Sequence, residues 1–181
     1  TAAYLAHEAL KASQSLLREM AAEVPGMLYR IHFPAGKRGQ FLFVSAGVRE
    51  LFGLTPEEVM ADSAMIRDRR HPLDYERVNQ TVMHAIDNRS PVDIEYRILL
   101  SDGTGKWVHL ASSFVSEDAQ GQIRNGVLLD ITARKLAEAQ LMESEARWKL
   151  ALESTGDGVW DWYIQTGDEF FSRRCKEIYG F

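Results

Sequence analysis

The sequence predicts an α+β protein organised around an antiparallel sheet. Three observations carry this. Between Glu95 and Lys135 three alternating runs are separated by two Gly-containing turns, and the pattern turns helical at Asp130-Ile131-Thr132. Two earlier strand-like runs, 27–33 and 40–44, flank the turn Pro34-Ala-Gly-Lys-Arg-Gly39. Segments of helical periodicity fill the space between these two groups of strands and both ends of the chain.

In chain order, residues 2–23 read as a helix with Leu5, Ala9, Ala12, Leu16 and Met20 on one stripe. The stripe packs either on its own domain or against a second chain. Pro25-Gly26 ends it. After the second strand, Ser45 is expected to cap a short helix that closes at Gly53. Thr55-Pro56-Glu57-Glu58 then carries the capping-box pattern. The run from Asp62 to Arg70 is polar and reads as irregular, and His71-Pro72 as a break. A helix from Asp74 to about Asn88 presents Tyr75, Val78, Val82 and Ile86 on one face.

Three strands follow. Val92, Ile94, Tyr96, Ile98 and Leu100 alternate with Asp93, Glu95 and Arg97, so one face is buried and the other wetter. Lys106–Ser116 and Gln122–Ile131 are the fourth and fifth strands. From Thr132 to Thr155 a helix carries Ala137, Leu141, Ser144, Trp148, Ala151 and Thr155 at heptad spacing.

The tail repeats the start. Phe43-Val-Ser-Ala-Gly-Val-Arg-Glu-Leu-Phe-Gly-Leu54 matches Phe170-Phe-Ser-Arg-Arg-Cys-Lys-Glu-Ile-Tyr-Gly-Phe181, and Gly26-Met-Leu-Tyr-Arg matches Gly158-Val-Trp-Asp-Trp. The offset is 132 at Gly26 and 127 at Phe43, which makes the second turn five residues shorter. The reading is therefore four segments: 1–23 an amphipathic helix, 24–131 a complete domain, 132–155 a coiled-coil-like exit helix, and 156–181 the truncated beginning of a second copy.

Composition excludes several function classes. A net charge of -5 argues against a general nucleic-acid binder. No apolar run approaches the length of a membrane span, and the first residues do not read as a secretion signal, although a membrane segment upstream stays open. The single cysteine, Cys175, suits a reducing compartment, so a cytoplasmic location is expected.

Several of these stretches together resemble the PAS sensory domains of bacterial signalling proteins, with their C-terminal PAC motif. They are FLFVSAGVRELFGLTPEEV, the HPLDYERV helix start, EYRILLSDGTGKWV, and GQIRNGVLLDIT with its ARK exit. Leu73 departs from the acidic residue usual after His-Pro. The resemblance implies a PAS fold: a five-stranded antiparallel sheet with short helices on one face, enclosing a small cavity and flanked by linker helices. Such domains bind a ligand or cofactor, or transmit strain and dimerise. They report to an output such as a histidine kinase or a cyclic-dinucleotide enzyme.

From the resemblance, Asp130-Ile131-Thr132 is the signal-exit motif. Thr132 reads as the N-cap of the exit helix, Asp130 as favouring its positive end, and Arg134 as reaching Asp130 or Glu95. Pocket candidates are Phe43, Val78, Val82, Ile94, Tyr96, Leu110, Ser112 and Val127. The ligand is unknown. His84 falls about a turn and a half beyond the axial position of haem-binding relatives, where Val78 stands, and no cysteine lies in Asp62–Pro72 for a flavin photoadduct. The sequence shows no catalytic constellation and no metal-ligand spacing. The expected function is a sensory module that relays ligand or partner binding through the exit helix, as a homodimer through its terminal helices. The alternative is a ligand-free dimerisation module.

Overall fold

The computed structural model describes residues 24–34, 38–155 and 158–180, so the helix expected over 2–23 lies outside the described residues. Two compact units divide after Thr132. The first contains β1 (Met27–Pro34), β2 (Gln40–Val44), α1 (Val48–Phe52), α2 (Pro56–Ala61), α3 (Ala64–Arg67), α4 (Pro72–Asn88), β3 (Val92–Leu99), β4 (Gly105–Asp118) and β5 (Gly121–Asp130). All five strands pair antiparallel in the order β2-β1-β5-β4-β3. The last strand thus lies at the centre, between the first and the fourth. This is the five-stranded α+β architecture that the resemblance implies.

Alternation decides which face the helices cover. Met27, Tyr29 and Ile31 of β1, Leu128 of β5, Val108 and Leu110 of β4, and Val92, Ile94, Tyr96 and Ile98 of β3 are all buried in one core. Register keeps them in rows: Tyr29 lies beside Gly126, Gly126 beside Ser112, and Ser112 beside Val92. Val48, Leu51 and Phe52 of α1, Val59 of α2, Ile66 of α3 and Val78 of α4 close the same core from above.

Local signals place the helix ends. Gly53 takes a left-handed φ of 69° after α1, a conformation that glycine adopts without strain. Thr55 and Glu58 form the reciprocal capping box: Glu58 N donates to Thr55 Oγ1 (3.3 Å) and Thr55 N donates to Glu58 Oε2 (2.7 Å). Three expectations change. The run expected to be irregular contains α3, because Ile66 has core to pack against. The helix expected from Asp74 begins at Pro72, where the missing proline N–H costs nothing and His71 Nδ1 accepts from Leu73 N (3.2 Å). Ser45 does not cap α1, whose N-cap is Gly47; its Oγ accepts from Leu28 N (2.9 Å) and joins β1 to the end of β2.

The second unit is described by itself. Helix α5 (Thr132–Thr155) runs into it, followed by β6 (Trp160–Tyr163), β7 (Asp168–Phe171) and α6 (Arg173–Tyr179). Ser172 Oγ accepts from Val159 N (2.9 Å), as Ser45 Oγ does from Leu28 N. Trp160 pairs with Phe171 as Tyr29 pairs with Val44. Tyr29 therefore corresponds to Trp160, at an offset of 131 rather than 132, and the second turn is shorter by four residues rather than five. The correction follows from hairpin register, since a one-residue slip would put each side chain on the opposite face. Among the described residues no helix is long and apolar enough to cross a membrane.

Ser45→Ala should leave the largely buried amide of Leu28 without its acceptor. A loss of about 1–3 kcal/mol is expected in urea denaturation of the 181-residue chain, with an unchanged m-value.

Candidate functional site

A cavity of about 780 Å³ opens beside α3, α4 and the ends of β1, β2 and β4. A smaller space of about 70 Å³, the inner lobe, lies over the sheet beside it. The outer volume falls within the range of roughly 300–1,000 Å³ usual for small-molecule sites. Ile31, Phe33, Phe41, Ile66, Arg70 and Val82 border both lobes.

The structure gathers half of the sequence candidates here. Val82, Tyr96, Leu110 and Ser112 line the inner lobe. Val78 and Ile94 are buried in the core and do not line it. Phe43 and Val127 occupy the other side of the alternation: Phe43 is in register with exposed Arg30, and Val127 with Leu28 and Ala111. Their hydrophobicity suggested the inside. The inward positions of β5 are instead Gln122, Arg124, Gly126 and Leu128. Arg124 is only 2% exposed and Gln122 only 4%. A hydrophobic-inside reading of β5 selects the wrong phase because the charged residue belongs to the core.

Hydrogen bonding makes that burial tolerable. Arg124 Nη1 donates to Ala85 O (3.2 Å) and Gln122 Oε1 (3.0 Å), and Nη2 donates to Ser90 O. Gln122 Nε2 donates to Ile86 O (3.1 Å). These acceptors lie at the carbonyl end of α4 and just beyond it, where a cation also meets the favourable pole of the helix. Burial pushes the Arg124 guanidinium below its ordinary pKa, opposed by the phenol of Tyr29.

Gly126 serves the same row. A Cβ there would stand 2.3 Å from the Tyr29 hydroxyl, so glycine lets the tyrosine lie across β5 toward Ser112. Burial pushes the Tyr29 phenol up to about 12, with the Ser112 hydrogen bond pulling weakly the other way. Burial also raises Tyr96. Both phenols are neutral at neutral pH.

The opposite end of α4 is held by Asp74, which is 6% exposed. Its Oδ2 accepts from Arg97 N (2.9 Å) and Arg97 Nε (2.8 Å), and its Oδ1 from Arg97 Nη2 (2.9 Å). These bonds, led by the Arg97 side chain, hold the carboxyl well below the usual range. His71 N donates to Arg97 O (2.8 Å), and Arg97 lies 5.6 Å over the Trp107 ring.

At the exit motif the roles of Asp130 and Thr132 differ from those expected. Asp130 Oδ1 accepts from Thr132 N (2.9 Å), so Asp130 satisfies the first amide of α5. Thr132 Oγ1 accepts from Trp107 N (3.0 Å) while Ile131 N donates to Trp107 O (2.9 Å). Thr132 extends the β4–β5 ladder instead of capping its own helix. Asp130 Oδ2 pairs with Lys106 Nζ (3.1 Å). Partial burial works against its charge, but the bonds from Thr132 and Lys106 prevail and lower its pKa. Arg134 pairs with Glu138 one turn along α5 (2.9 Å), and Glu95 O accepts from Arg77 Nη2 (3.0 Å). His84 is exposed on α4. Among the described residues no three His, Cys, Asp or Glu side chains converge to hold a metal ion.

Residues 41–127 match the family model described as PAS fold. Over 66 residues the chain is 41% identical to hybrid signal transduction histidine kinase A of Dictyostelium discoideum, covering 36% of this chain and 3% of that protein. It is 25% identical over 88 residues to the probable diguanylate cyclase DgcE of Escherichia coli, covering 49% of this chain and 8% of that protein. The chain thus spans a small fraction of the curated relatives it matches. The crystal structure of a sensory box histidine kinase/response regulator from Burkholderia thailandensis superposes with a TM-score of 0.55 at 18% identity, over 72% of this chain and 96% of that one. This last likeness concerns fold alone.

The Asp74 cluster generates a pH dependence. Its folded pKa lies below the unfolded value of about 3.9, so the stability it contributes is complete above that value and is lost as pH falls through the range below it. Asp74→Asn should cost about 1.5–3 kcal/mol at neutral pH, the worth of hydrogen bonds to a charged group. It should also flatten the stability profile below about pH 4, as measured by urea denaturation across an acid pH series.

Proposed function

From the premise that residues 41–127 are a PAS-family domain, we propose that this chain is a sensory module of a multidomain signalling protein, with a small ligand acting in the cavity and α5 carrying the response to an output domain. A histidine kinase or a cyclic-dinucleotide enzyme is the output class that the matched relatives suggest.

One observation carries this reading. A continuous series of polar contacts leads from the cavity edge to the first residue of α5. Arg70 borders the cavity, and the next residue, His71, bonds Arg97. Arg97 is clasped by Asp74 and lies over Trp107, whose amide bonds Thr132. A ligand that moved the start of α4 would act on the same residues that seat the start of α5. It can shift that equilibrium only by its difference in affinity for the two arrangements.

A second reading, dimerisation through α5, is favoured by a separate feature. Leu141 is 61% exposed and Trp148 64% exposed on the heptad seam, an apolar stripe left uncovered among the described residues. The two readings are compatible, since paired exit helices would transmit a change in angle. The equivalent serine clasps at Ser45 and Ser172 further support reading β6, β7 and α6 as the opening of a second domain of the same kind.

Asp130→Ala and Thr132→Ala, each placed in the natural full-length protein, should change output activity severalfold while costing about 1 kcal/mol of domain stability. Wild-type output from both would remove the exit motif from the mechanism. Leu141→Glu should shift the 181-residue chain toward monomer in sedimentation velocity, and an unchanged profile would remove the helix seam.

A further inference from the structure

We propose that the cavity takes a small carboxylate with an apolar body, its charged end seated against Arg70 and its body between Ile31, Phe41, Ile66 and Val82. This inference rests on the sensory reading above and specifies the chemistry of what that site binds.

The sign of the charge is the first argument. Arg70 and Arg124 both line the inner lobe, and no aspartate or glutamate does. Neither arginine has a carboxylate partner among the described residues. Arg124 spends its donors on Ala85 O, Ser90 O and Gln122 Oε1, which are neutral. Arg70 Nη1 donates to Asn79 Oδ1, also neutral. At the outer mouth Glu117 pairs with Arg89 and Asp118 accepts from the amides of Gln120 and Gly121, while Asp87 stands there among Arg38, Arg67, Arg70 and Arg89, so the arginines outnumber the acids. Two cations thus face an apolar space without a counter-charge, an arrangement that draws in an anion and repels a cation.

The second argument is an unfilled bond. Arg70 Nε is buried and has no hydrogen-bond partner. A buried donor left unpaired is costly, and a carboxylate is the acceptor that matches the edge of a guanidinium. Around it the other polar groups, Tyr29, Tyr96, Asn79 and Ser112, carry no charge. Tyr29 and Tyr96 are held neutral by burial, so their hydroxyls add no negative charge. One open guanidinium edge suits a monoanion, whereas a phosphate dianion needs donors on more of its oxygens. The remaining walls are aliphatic and aromatic, which sets the apolar body.

The test is calorimetric titration of the 181-residue chain with a series of straight-chain acids from butyrate to decanoate, their neutral amides and a matching alkyl phosphate. At least one carboxylate should bind, its amide about tenfold or more weaker, and the phosphate no tighter than the carboxylate. Arg70→Gln should weaken the carboxylate by about tenfold or more and the amide by clearly less, and Arg70→Lys should restore part of the loss. The amide comparison on the unsubstituted chain decides the question even where a variant fails to fold. An amide that binds as well as its acid, or a phosphate that binds more tightly, overturns the carboxylate assignment and leaves the ligand-sensing reading standing. No binding by any member overturns the proposal, and the sensory reading then stands or falls on the exit-motif variants.

Discussion

Helix α4 is fastened to the sheet at both ends by arginine, and the geometry of the first unit follows from that. At its start, Asp74 gathers the backbone amide and the guanidinium of Arg97 on β3. At its finish, Arg124 and Gln122 of β5 collect the terminal carbonyls. A helix end exposes unsatisfied groups whichever way it is packed. At the finish they are answered in part by side chains of β5, whereas at the start Arg97 of β3 grips the Asp74 carboxylate, and together these contacts fix both the angle of the helix and its distance from the sheet. Apolar contact alone is non-directional and would not set that distance.

The clamps have a consequence for the interior. Arg124 occupies a core position, so the space around it cannot be filled by another strand-facing aliphatic side chain without stranding its charge. Glycine at 126 and serine at 112 keep the neighbouring row thin. The result is a lobe with donors on its floor and hydrocarbon on its walls, beside a wider mouth. The Asp74 end of the same helix contacts Arg97, which stacks over Trp107, and the backbone of Trp107 bonds both Ile131 and Thr132. One helix, α4, thus meets the cavity row at its finish and the end of the β4–β5 ladder, through Arg97 and Trp107, at its start.

The repeat shows the same economy in local form. Ser45 and Ser172 each accept from the backbone of the first strand of their hairpin, and each hairpin is followed by a short helix closed by a left-handed glycine, Gly53 or Gly180. In the first unit the inner side of the hairpin is covered, as Met27 and Val44 are buried. In the second, Trp160, Trp162, Tyr163 and Phe170 are more than half exposed. The same hydrogen bonding within a hairpin and helix thus recurs where the hairpin's aromatic side chains are exposed.

The sequence by itself determined the elements whose cause is local. The five strands follow from period-two alternation, Gly53 from its left-handed turn, and the Thr55–Glu58 box from its spacing. Motif order was enough to imply the fold. Of the pocket candidates, Val82, Tyr96, Leu110 and Ser112 line the inner lobe, on a face that an apolar or mixed pattern marked, while most of its other lining residues were not singled out. Tertiary structure alone decided the phase of β5, the burial of Arg124 and Asp74, and the passing of the helix-capping role from Thr132 to Asp130. Each of these depends on a partner far away in the chain, such as Ala85 for Arg124, Arg97 for Asp74 and Trp107 for Thr132. A charged residue belongs in a core only when such partners arrive, and no pattern along the chain records whether they do.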